Sequence, residues 1–584
     1  MTESNSSVEA PQEPRSRSIL RASAIMASGT MVSRILGFVR SAMLLAAIGA
    51  AGGGVSAAFQ TANTLPNTVF NLLASGVFDA VLVPQIVGAL KRKHDGQTYV
   101  NRLLTLAGTL LFIVTIVAMI AAPLLVVITA AGYDAQTRTL AILFALLCLP
   151  QLFFYGLYNL LGELLNARGV FGPYMWAPVV NNVVGIAGLG AFLFLWGGTE
   201  GRINVEDLSA TQFWLLGGSA TLGVIAQALV LFIPMKRSGV HFKPDFHFRG
   251  TSFGSTSKVA GWTFATLGVS QIGVLSTNNL AALADAYAKT HDGVLVGINA
   301  YATAFMIFMV PQSLITVSLT TAIFTQMARA VADDDDRSVA ASYHLGVQTI
   351  TSLTLLAAAI LMAGSVPMMQ MVLYSKTNQE VILAYAWVLV ALMPGVASTG
   401  MVLMSQRVFF AYEDVKPVFL MGIGPTILQV IVGWGLYAMT GAKWWVVAAA
   451  LGETSCRIVQ GVIAVAWVSR RNSYVDRALL LRSYSAFVVS AVLATLSSFG
   501  ALKLVGVQTQ TSSTLLRFGS ASLKLIMVSL VASIVYMVVL RLISPSTSAR
   551  TITPLLQRLR VPLVLRRILA APIQPKSTSS TIMD

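Results

Sequence analysis

Long apolar stretches recur along almost the whole chain and are separated by short polar turns. Each stretch is long enough to cross a bilayer as an α-helix, which requires about 20 mostly apolar residues. The stretches cover residues 24–50, 58–90, 103–131, 138–166, 174–197, 212–235, 259–286, 294–328, 342–373, 380–410, 417–440, 444–469, 483–506 and 515–543. The pattern predicts an all-α polytopic membrane protein with about fourteen transmembrane helices.

The composition excludes the soluble protein classes. Of the 584 residues, 55% are hydrophobic and 11% are charged, whereas about 25% of the residues of a soluble domain are charged. Cys148 and Cys456 lie in apolar runs, and the five histidines are scattered near the ends of the stretches. These residues have no spacing typical of a disulfide framework or a metal site. We therefore expect no cofactor, and the sequence leaves the identity of any coupling ion open.

The basic residues indicate how the chain is oriented in the membrane. The net charge is +16, but the Lys and Arg residues lie in short loops between apolar stretches, which argues against nucleic acid as a partner. Twenty-eight of the 39 fall in alternate loops on one side, and six fall in the loops on the other side. Because cytoplasmic loops carry the excess of Lys and Arg, this distribution predicts an even number of spans with both termini in the cytoplasm.

A basic connection that contains Gly and Pro divides the apolar stretches into groups. Six stretches precede it, six follow, and two more come after these, as in transporters built from repeated halves. The expected domains are a disordered cytoplasmic tail (1–23), an N-terminal six-helix half (24–236), a cytoplasmic linker (237–258), a C-terminal six-helix half (259–470), transmembrane helices 13 and 14 (471–543) and a basic cytoplasmic tail (544–584). The last tail alternates apolar and basic residues, which favours contact with anionic membrane lipids.

Two arginines, Arg34 and Arg40, interrupt the first apolar stretch. An arginine within a span costs about 2.5 to 3.5 kcal/mol on insertion scales, so each needs a polar environment. Arg34 is close enough to the start of the helix for its long side chain to reach the interface, and this alternative stays open. Arg40 lies about 15 residues into the helix, or about 22 Å, which favours a polar cavity within the protein.

The sequence around these arginines resembles one family of membrane transporters. The features are the run from Ser33 to Arg40, the tripeptide Leu65-Pro66-Asn67 and the pair Val83-Pro84. Together they resemble the opening of the MurJ (MviN) family, the lipid II flippases of the MOP transporter superfamily. Further matches are Gly162, Asn166, Ala177, Pro178, Asn182 and the turn from Phe409 to Pro417, which lacks the family's threonine.

The resemblance implies a fold and a function. The fold would be of the MOP (MATE-like) type, with two six-helix halves around a central cavity and two extra C-terminal helices. The function would be the translocation of lipid II, the undecaprenyl-pyrophosphate-linked peptidoglycan precursor, from the cytoplasmic to the outer leaflet of a bacterial plasma membrane by alternating access. No bond is made or broken, so the protein would not be an enzyme. Partners would include cell-wall synthesis or division proteins.

The resemblance also assigns candidate site residues. Arg34 and Arg40 match two of the family's cavity arginines and would hold the pyrophosphate, because a guanidinium binds phosphate bidentately. The family's cavity lies between helices 1, 2, 7 and 8, and the seventh apolar stretch of this chain is unusually polar. The candidates for lining the cavity are Asn67, Gln271, Asn278 and Asn279.

Several positions depart from the family pattern. Ser41 stands where the family has an acidic residue, and Phe70 and Asn71 replace a pair of arginines. Met306 stands at or near the position of another expected arginine. Half or more of the expected cationic charge is therefore absent, which weakens the assignment of lipid II as the substrate.

Acidic residues are rare in the spans. Glu453 and Arg457 are four residues apart on one helix, a spacing that predicts a structural ion pair. Asp79 and Glu163 lie near the ends of spans, where an interfacial position explains them. Asp285 is a weak candidate for an acidic residue that couples transport to an ion.

Three alternatives remain open. One is an exporter of the same fold for another lipid-linked glycan or a small solute, which would need a deeply placed acidic residue. A second is a transport-inactive scaffold of cell-wall assembly, which the missing arginines favour. A third is a membrane glycosyltransferase, which is disfavoured because no outside loop is long or acidic enough to supply a catalytic base.

Overall fold

The computed structural model consists of α-helices joined by short turns, and no strand occurs among the residues that it describes. These are residues 13–73, 96–168, 170, 172–199, 203–238, 243–246, 257–291, 295–373, 378–506, 514–558, 562 and 568–570. Asp79, Val83 and Pro84 lie outside them, as do most of the predicted linker (237–258) and much of the predicted C-terminal tail (544–584). The prediction of an all-α protein is confirmed.

Nine helices form the first part of the described chain. They are α1 (Glu13–Ile48), α2 (Gly54–Leu73), α3 (Gly96–Ile120), α4 (Ala122–Thr129), α5 (Ala135–Cys148), α6 (Gln151–Ala167), α7 (Gly172–Trp196), α8 (Ala210–Leu229) and α9 (Phe232–Arg237). Local signals set some of their ends. The Asp134 side chain accepts a hydrogen bond from the backbone N–H of Gln136 at the start of α5, and Ser209 forms a capping box with Gln212 at the start of α8.

Twelve helices follow in the rest of the described chain. They are α10 (Ser257–Thr290), α11 (Ile298–Pro311), α12 (Val317–Ala332), α13 (Asp336–Ala363), α14 (Ser365–Val372), α15 (Gln379–Leu392), α16 (Gly395–Ala411), α17 (Lys416–Met439), α18 (Trp445–Arg471), α19 (Arg477–Val505), α20 (Thr514–Ile543) and α21 (Pro545–Arg558). A π-helical turn, Gln312–Thr316, joins α11 to α12. It follows Pro311, which has no N–H for the regular ladder.

Twelve helical stretches among the described residues are long and apolar enough to cross a membrane. They correspond to twelve of the fourteen predicted spans. The predicted span 58–90 is described only as far as Leu73, and the predicted span 259–286 forms α10, which is not among the twelve. A multi-pass membrane protein is therefore confirmed, whereas the count of fourteen stays a prediction.

The helices pack as two bundles, and a further pair attaches to the second bundle. In the first bundle α1 and α8 pack along α7, and α2 packs against α5 and α6. In the second bundle α16 and α17 pack along α18, and α13 packs against α16. The pair α19 and α20 pack on each other and against α13 and α14. The two bundles meet mainly where α2 and α4 contact α10 and α11.

The start of the first helix differs from the prediction. α1 begins at Glu13, so residues 13–23 are helical and are not part of a disordered tail. Pro14 occupies the first turn, where its missing N–H costs no intrahelical hydrogen bond. No further proline or glycine interrupts the chain before Gly29, so the helix continues into the membrane-spanning stretch.

Parts of the predicted linker and C-terminal tail pack on the helices. In the linker, Asp245 forms an ion pair of 2.7 Å with Arg102 of α3. In the tail, α21 places Ile552 and Leu556 in a buried cluster with Tyr536 of α20. The expected contact of this tail with anionic lipid stays a prediction.

Candidate functional site

A polar cavity of about 290 Å³ lies between the first bundle and α11 of the second. Side chains from α1, α2, α6, α7, α8 and α11 line it. Among the described lining residues the polar ones are Arg40, Ser41, Gln60, Asn63, Gln151, Tyr155, Asn182, Ser219, Asn299 and Thr303. One of these residues is a cation and none is acidic, so the lining is complementary to negative charge and to hydrogen-bonding groups.

Arg40 is held by a chain of amide side chains. Its Nη1 donates a hydrogen bond to Oδ1 of Asn181 (3.1 Å), and Nδ2 of Asn181 donates to Oε1 of Gln227 (2.9 Å). Both partners are neutral, and no carboxylate in the described part of the chain pairs with the guanidinium. The amides therefore orient the arginine without cancelling its charge.

Gly185 of α7 leaves room for the Arg40 side chain. A Cβ atom at this position would lie 2.6 Å from Nε of Arg40, which is closer than real Cβ contacts allow. Because glycine weakens a helix interior by roughly 0.5–1 kcal/mol relative to alanine, its presence in the middle of α7 requires a reason. The passage of the arginine beside the α7 backbone supplies that reason.

The structure separates the two predicted arginines. Arg34 lies six residues before Arg40, which is about 120° around the helix, and its side chain is exposed and is not among the lining residues. Arg40 alone of the pair lies in the cavity.

The four amides predicted to line the cavity lie elsewhere. Asn67 is exposed on α2, and Gln271 and Asn278 are half-buried on α10. Asn279 donates from Nδ2 to the carbonyl of Ile128 (2.7 Å) and links α10 to the end of α4. None of the four is among the lining residues of this cavity, so their assignment to a substrate site stays a prediction.

The amides that do line the cavity were missed by the sequence analysis. Gln60 and Asn63 lie on α2, ahead of the Leu65-Pro66-Asn67 tripeptide, and Gln151 follows the Pro150 break between α5 and α6. An amide within a span must find a polar partner, so the position of Gln60 and Asn63 in the apolar run of α2 is a signal that could have found them.

The departures from the family pattern fall partly within the cavity. Ser41 and Met306 both line it, where the family pattern leads us to expect an acid and an arginine. Phe70 packs near Tyr155, with ring centroids 6.2 Å apart. The cavity therefore carries less charge of either sign than the pattern implies.

Contacts between the two bundles lie beside the start of α11, next to the cavity residue Asn299, and we call them the closure. The carboxylate of Asp285 at the end of α10 accepts hydrogen bonds from the backbone N–H of Gly53 (2.8 Å) and of Ile298 (3.0 Å). The N–H of Gly52 donates to the carbonyl of Leu295 (3.0 Å). A Cβ atom at Gly297 would lie 1.8 Å from Asp285, so only glycine fits there. Asp285 thus joins the α1–α2 turn to the start of α11.

Further contacts extend the closure. Tyr385 of α15 donates to the carbonyl of Ala50 (2.8 Å), and Lys289 forms an ion pair of 2.8 Å with Asp134. Burial raises the pKa of Asp134, but hydrogen bonds from Lys289 and Thr137 outweigh burial and lower the pKa to about 2. The carboxylate is therefore ionised at neutral pH.

A second buried arginine lies in the other bundle. Arg457 of α18 pairs with Glu453, as the spacing of four residues predicts, and Tyr301 of α11 donates its hydroxyl hydrogen to the same carboxylate group. Nη1 of Arg457 donates to the hydroxyl of Thr399 (3.1 Å), and its guanidinium lies 4.9 Å from the Phe308 ring centroid. Its charge is therefore neutralised within the protein.

Comparison with solved structures identifies the fold. A structure described as "Lipid II flippase MurJ, inward closed conformation" matches with a TM-score of 0.64 at 17% identity, covering 87% of this chain and 98% of that one. An inward-facing MATE family transporter of the MOP superfamily matches with a TM-score of 0.59 at 14% identity, covering 77% and 98%. The chain therefore has the MOP transporter fold.

Comparison of sequences identifies the family. The family model described as "Lipid II flippase MurJ" matches residues 46–522, so the chain belongs to this family of lipid flippases. The matched range begins after Arg40. A probable lipid II flippase MurJ of Rhizobium meliloti is 24% identical over 421 residues, which is 70% of this chain and 74% of the relative. The lipid II flippase MurJ of Burkholderia cenocepacia is 24% identical over 423 residues, or 70% and 77%.

Proposed function

We propose that this protein moves lipid II from the cytoplasmic to the outer leaflet of a bacterial plasma membrane. Family membership supports the substrate, and one feature of the cavity supports the mode of binding. That feature is Arg40, a cation in a polar cavity whose partners are neutral amides. The guanidinium is free to bind the pyrophosphate of the substrate.

The chemistry of the lining suits the rest of the headgroup. A guanidinium presents its N–H groups in a planar fork that matches two phosphate oxygens. Amide side chains such as Gln60, Asn63 and Gln151 each offer donors and acceptors that suit hydroxyl and acetamido groups of a sugar. The lipid tail has no polar group and would remain in the bilayer.

The closure fits one step of alternating access. If both termini lie in the cytoplasm, as the Lys and Arg distribution predicts, the α1–α2 turn and Asp285 lie on the outer side. The structure then corresponds to a state that is shut toward the outside. Release of the headgroup to the outer leaflet would require the hydrogen bonds between the bundles to break, from Gly53 to Asp285 and from Gly52 to Leu295.

The proposal is tested by measuring lipid II accessible from outside the cell with an impermeant probe, after depletion of this protein. We expect outer lipid II to fall on depletion, to return with the wild type and to stay low with Arg40→Ala. Arg34→Ala is the matched control, because it removes the same charge from α1 outside the cavity. Full restoration by Arg40→Ala would refute the proposed role of the cavity.

A second candidate function is that of a scaffold for cell-wall assembly, which would not transport lipid II. It is favoured by one observation: Met306 lines the cavity where the family pattern leads us to expect an arginine. Such a protein would bind cell-wall synthesis or division proteins, and its depletion would leave outer lipid II unchanged. The same measurement therefore separates the two candidates.

A further inference from the structure

An apolar crevice separates two helices that are consecutive in the chain. After α18 ends at Arg471, a short turn leads into α19, which packs against α13 and leaves a gap beside α18. The crevice has a volume of about 280 Å³. It is lined by apolar side chains such as Val462 and Val465 of α18, Leu481 of α19 and Met401 of α16. None of its lining residues belongs to the polar cavity around Arg40.

The crevice is accessible from the side of the helix bundle. Val462 is 63% exposed and Leu481 is 69% exposed, so both lie at its opening. Gln348 and Ser483 line it as well, but they hydrogen-bond to each other at 2.9 Å. The space therefore suits a flexible apolar chain that enters from the bilayer.

The length of the crevice matches one leaflet. It extends along α19 from Arg477 to Phe487, which are ten residues apart. At 1.5 Å per residue this is about 15 Å, or half of the roughly 30 Å hydrocarbon core of a bilayer. A chain in the crevice would therefore begin at the level of the lipid headgroups and end near the middle of the membrane.

A cationic side chain, Arg477, lies at one end of the crevice. Arg477 lines it, and Nε of this residue donates a hydrogen bond to Oγ of Ser469 at 2.5 Å. No carboxylate pairs with Arg477 in the described part of the chain, and the adjacent Asp476 caps α19 by accepting from the N–H of Leu479. The two arginines that end α18, Arg470 and Arg471, add positive charge nearby.

We propose that this crevice binds an anionic diacyl phospholipid, with the phosphate on Arg477 and one acyl chain between α18 and α19. Charge and shape select this ligand together, because an arginine at headgroup depth binds phosphate and the apolar space holds the chain. The bound lipid fills the gap between the second bundle and the pair α19 and α20. The proposal does not depend on which substrate the central cavity transports.

The test uses native mass spectrometry of the purified full-length protein in detergent. Phosphatidylglycerol and phosphatidylcholine with identical acyl chains are titrated separately. We expect one molecule of phosphatidylglycerol to be retained with an affinity about tenfold higher than that of phosphatidylcholine, because the choline cation of phosphatidylcholine competes with Arg477 for the phosphate and leaves that lipid without net charge. Equal retention of the two lipids would overturn the proposal. It would indicate that the protein retains only annular lipid, bound without headgroup selectivity.

Three variants locate the site. Arg477→Gln should abolish the preference for phosphatidylglycerol, and Arg477→Lys should keep much of it because the charge remains. Arg482→Gln is the matched control, since Arg482 is exposed about 140° further around α19 and is not among the lining residues. A preference that survives in Arg477→Gln, or that is lost equally in the control, would contradict the assignment. The Tm of each variant establishes that it is folded.

Discussion

Two partly buried arginines in the described spans, Arg40 and Arg457, are accommodated in different ways. Arg457, in the second bundle, is paired with Glu453 and lies against Phe308. Arg40, in the first bundle, is held by Asn181 and lines a polar cavity. A buried charge is costly unless it is paired or hydrogen-bonded. Pairing with an acid leaves a structural contact, whereas support by neutral amides leaves a cation that can bind a ligand.

This difference assigns distinct roles to the two bundles. The Arg457–Glu453 pair joins α18 to α11, because Tyr301 donates to Glu453, and to α16, because Arg457 donates to Thr399. The contacts of Arg40 join α1 to α7 and leave the guanidinium facing the cavity. The Arg457–Glu453 pair therefore holds helices of the second bundle together, and the first bundle supplies the cation that we propose recognises the substrate.

The largest expected effect comes from removing the acid beside Arg457. Glu453→Gln leaves a buried cation without its carboxylate, so the free energy of unfolding should fall by about 3 kcal/mol. The double variant Glu453→Gln with Arg457→Gln removes both charges and should be more stable than the single variant. Thermal unfolding of the purified proteins measures both values. A single variant as stable as the wild type would show that Arg457 does not need the carboxylate.

The second prediction concerns a variant in which Arg40, like Arg457, is paired with a carboxylate. Asn181→Asp supplies a carboxylate to Arg40, so affinity for lipid II should fall about tenfold while the protein remains folded. Asn278→Asp adds the same charge on α10 outside the cavity and is the control. Binding of labelled lipid II to the purified variants gives the comparison. Equal loss in both variants would mean that net charge, and not Arg40, is responsible.

The sequence was informative about the spans because apolar length alone determines them. Twelve of the predicted spans are described helices long and apolar enough to cross a membrane, and the resemblance that begins with Ser33 to Arg40 led to the correct family. Arg40 was recognisable as a residue that lines a polar cavity because of its calculated depth in the bilayer. These features depend on residues that are close together in the sequence.

The lining of the cavity depends on contacts between distant helices and was not predictable in the same way. Asn279 and Gln60 are both amides within predicted spans, but Asn279 contacts the end of α4 and Gln60 faces the cavity. Arg34 and Arg40 likewise differ through the rotation of one helix against its neighbours. Periodicity alone does not show which side of a helix faces a cavity when both sides carry polar residues.

A smaller effect is expected from crowding the path of the Arg40 side chain. Gly185→Ala places a Cβ atom 2.6 Å from Nε of Arg40, so the arginine must move and lipid II affinity should fall several-fold. Gly190→Ala on the same helix is the control, because its Cβ would lie 3.8 Å from Met43 in ordinary contact. Lipid II binding by the two variants should therefore differ. Unchanged lipid II binding by Gly185→Ala would show that Arg40 can take another position in the cavity without loss of affinity.

The smallest effect is expected at the exposed ion pair between the bundles. The pKa of Asp134 is lowered to about 2, so its contribution to stability is present above about pH 4 and is lost as the pH falls toward 2. Because the side chain is 41% exposed, Asp134→Asn should lower the free energy of unfolding by less than about 1 kcal/mol at neutral pH. Thermal unfolding against pH tests this: the difference from wild type should vanish near pH 2. A loss as large as that of Glu453→Gln would contradict the distinction between exposed and buried pairs.

The direct test of Arg40 as the unneutralised cation that recognises the substrate is the Kd of the purified protein for lipid II. Arg40→Ala should raise the Kd at least about tenfold, because it removes a charged hydrogen bond worth about 1.5–3 kcal/mol. Arg40→Lys should recover part of the affinity, and Arg34→Ala should bind like the wild type. If Arg40→Ala binds lipid II as tightly as the wild type, the cavity around Arg40 is not where the pyrophosphate is held.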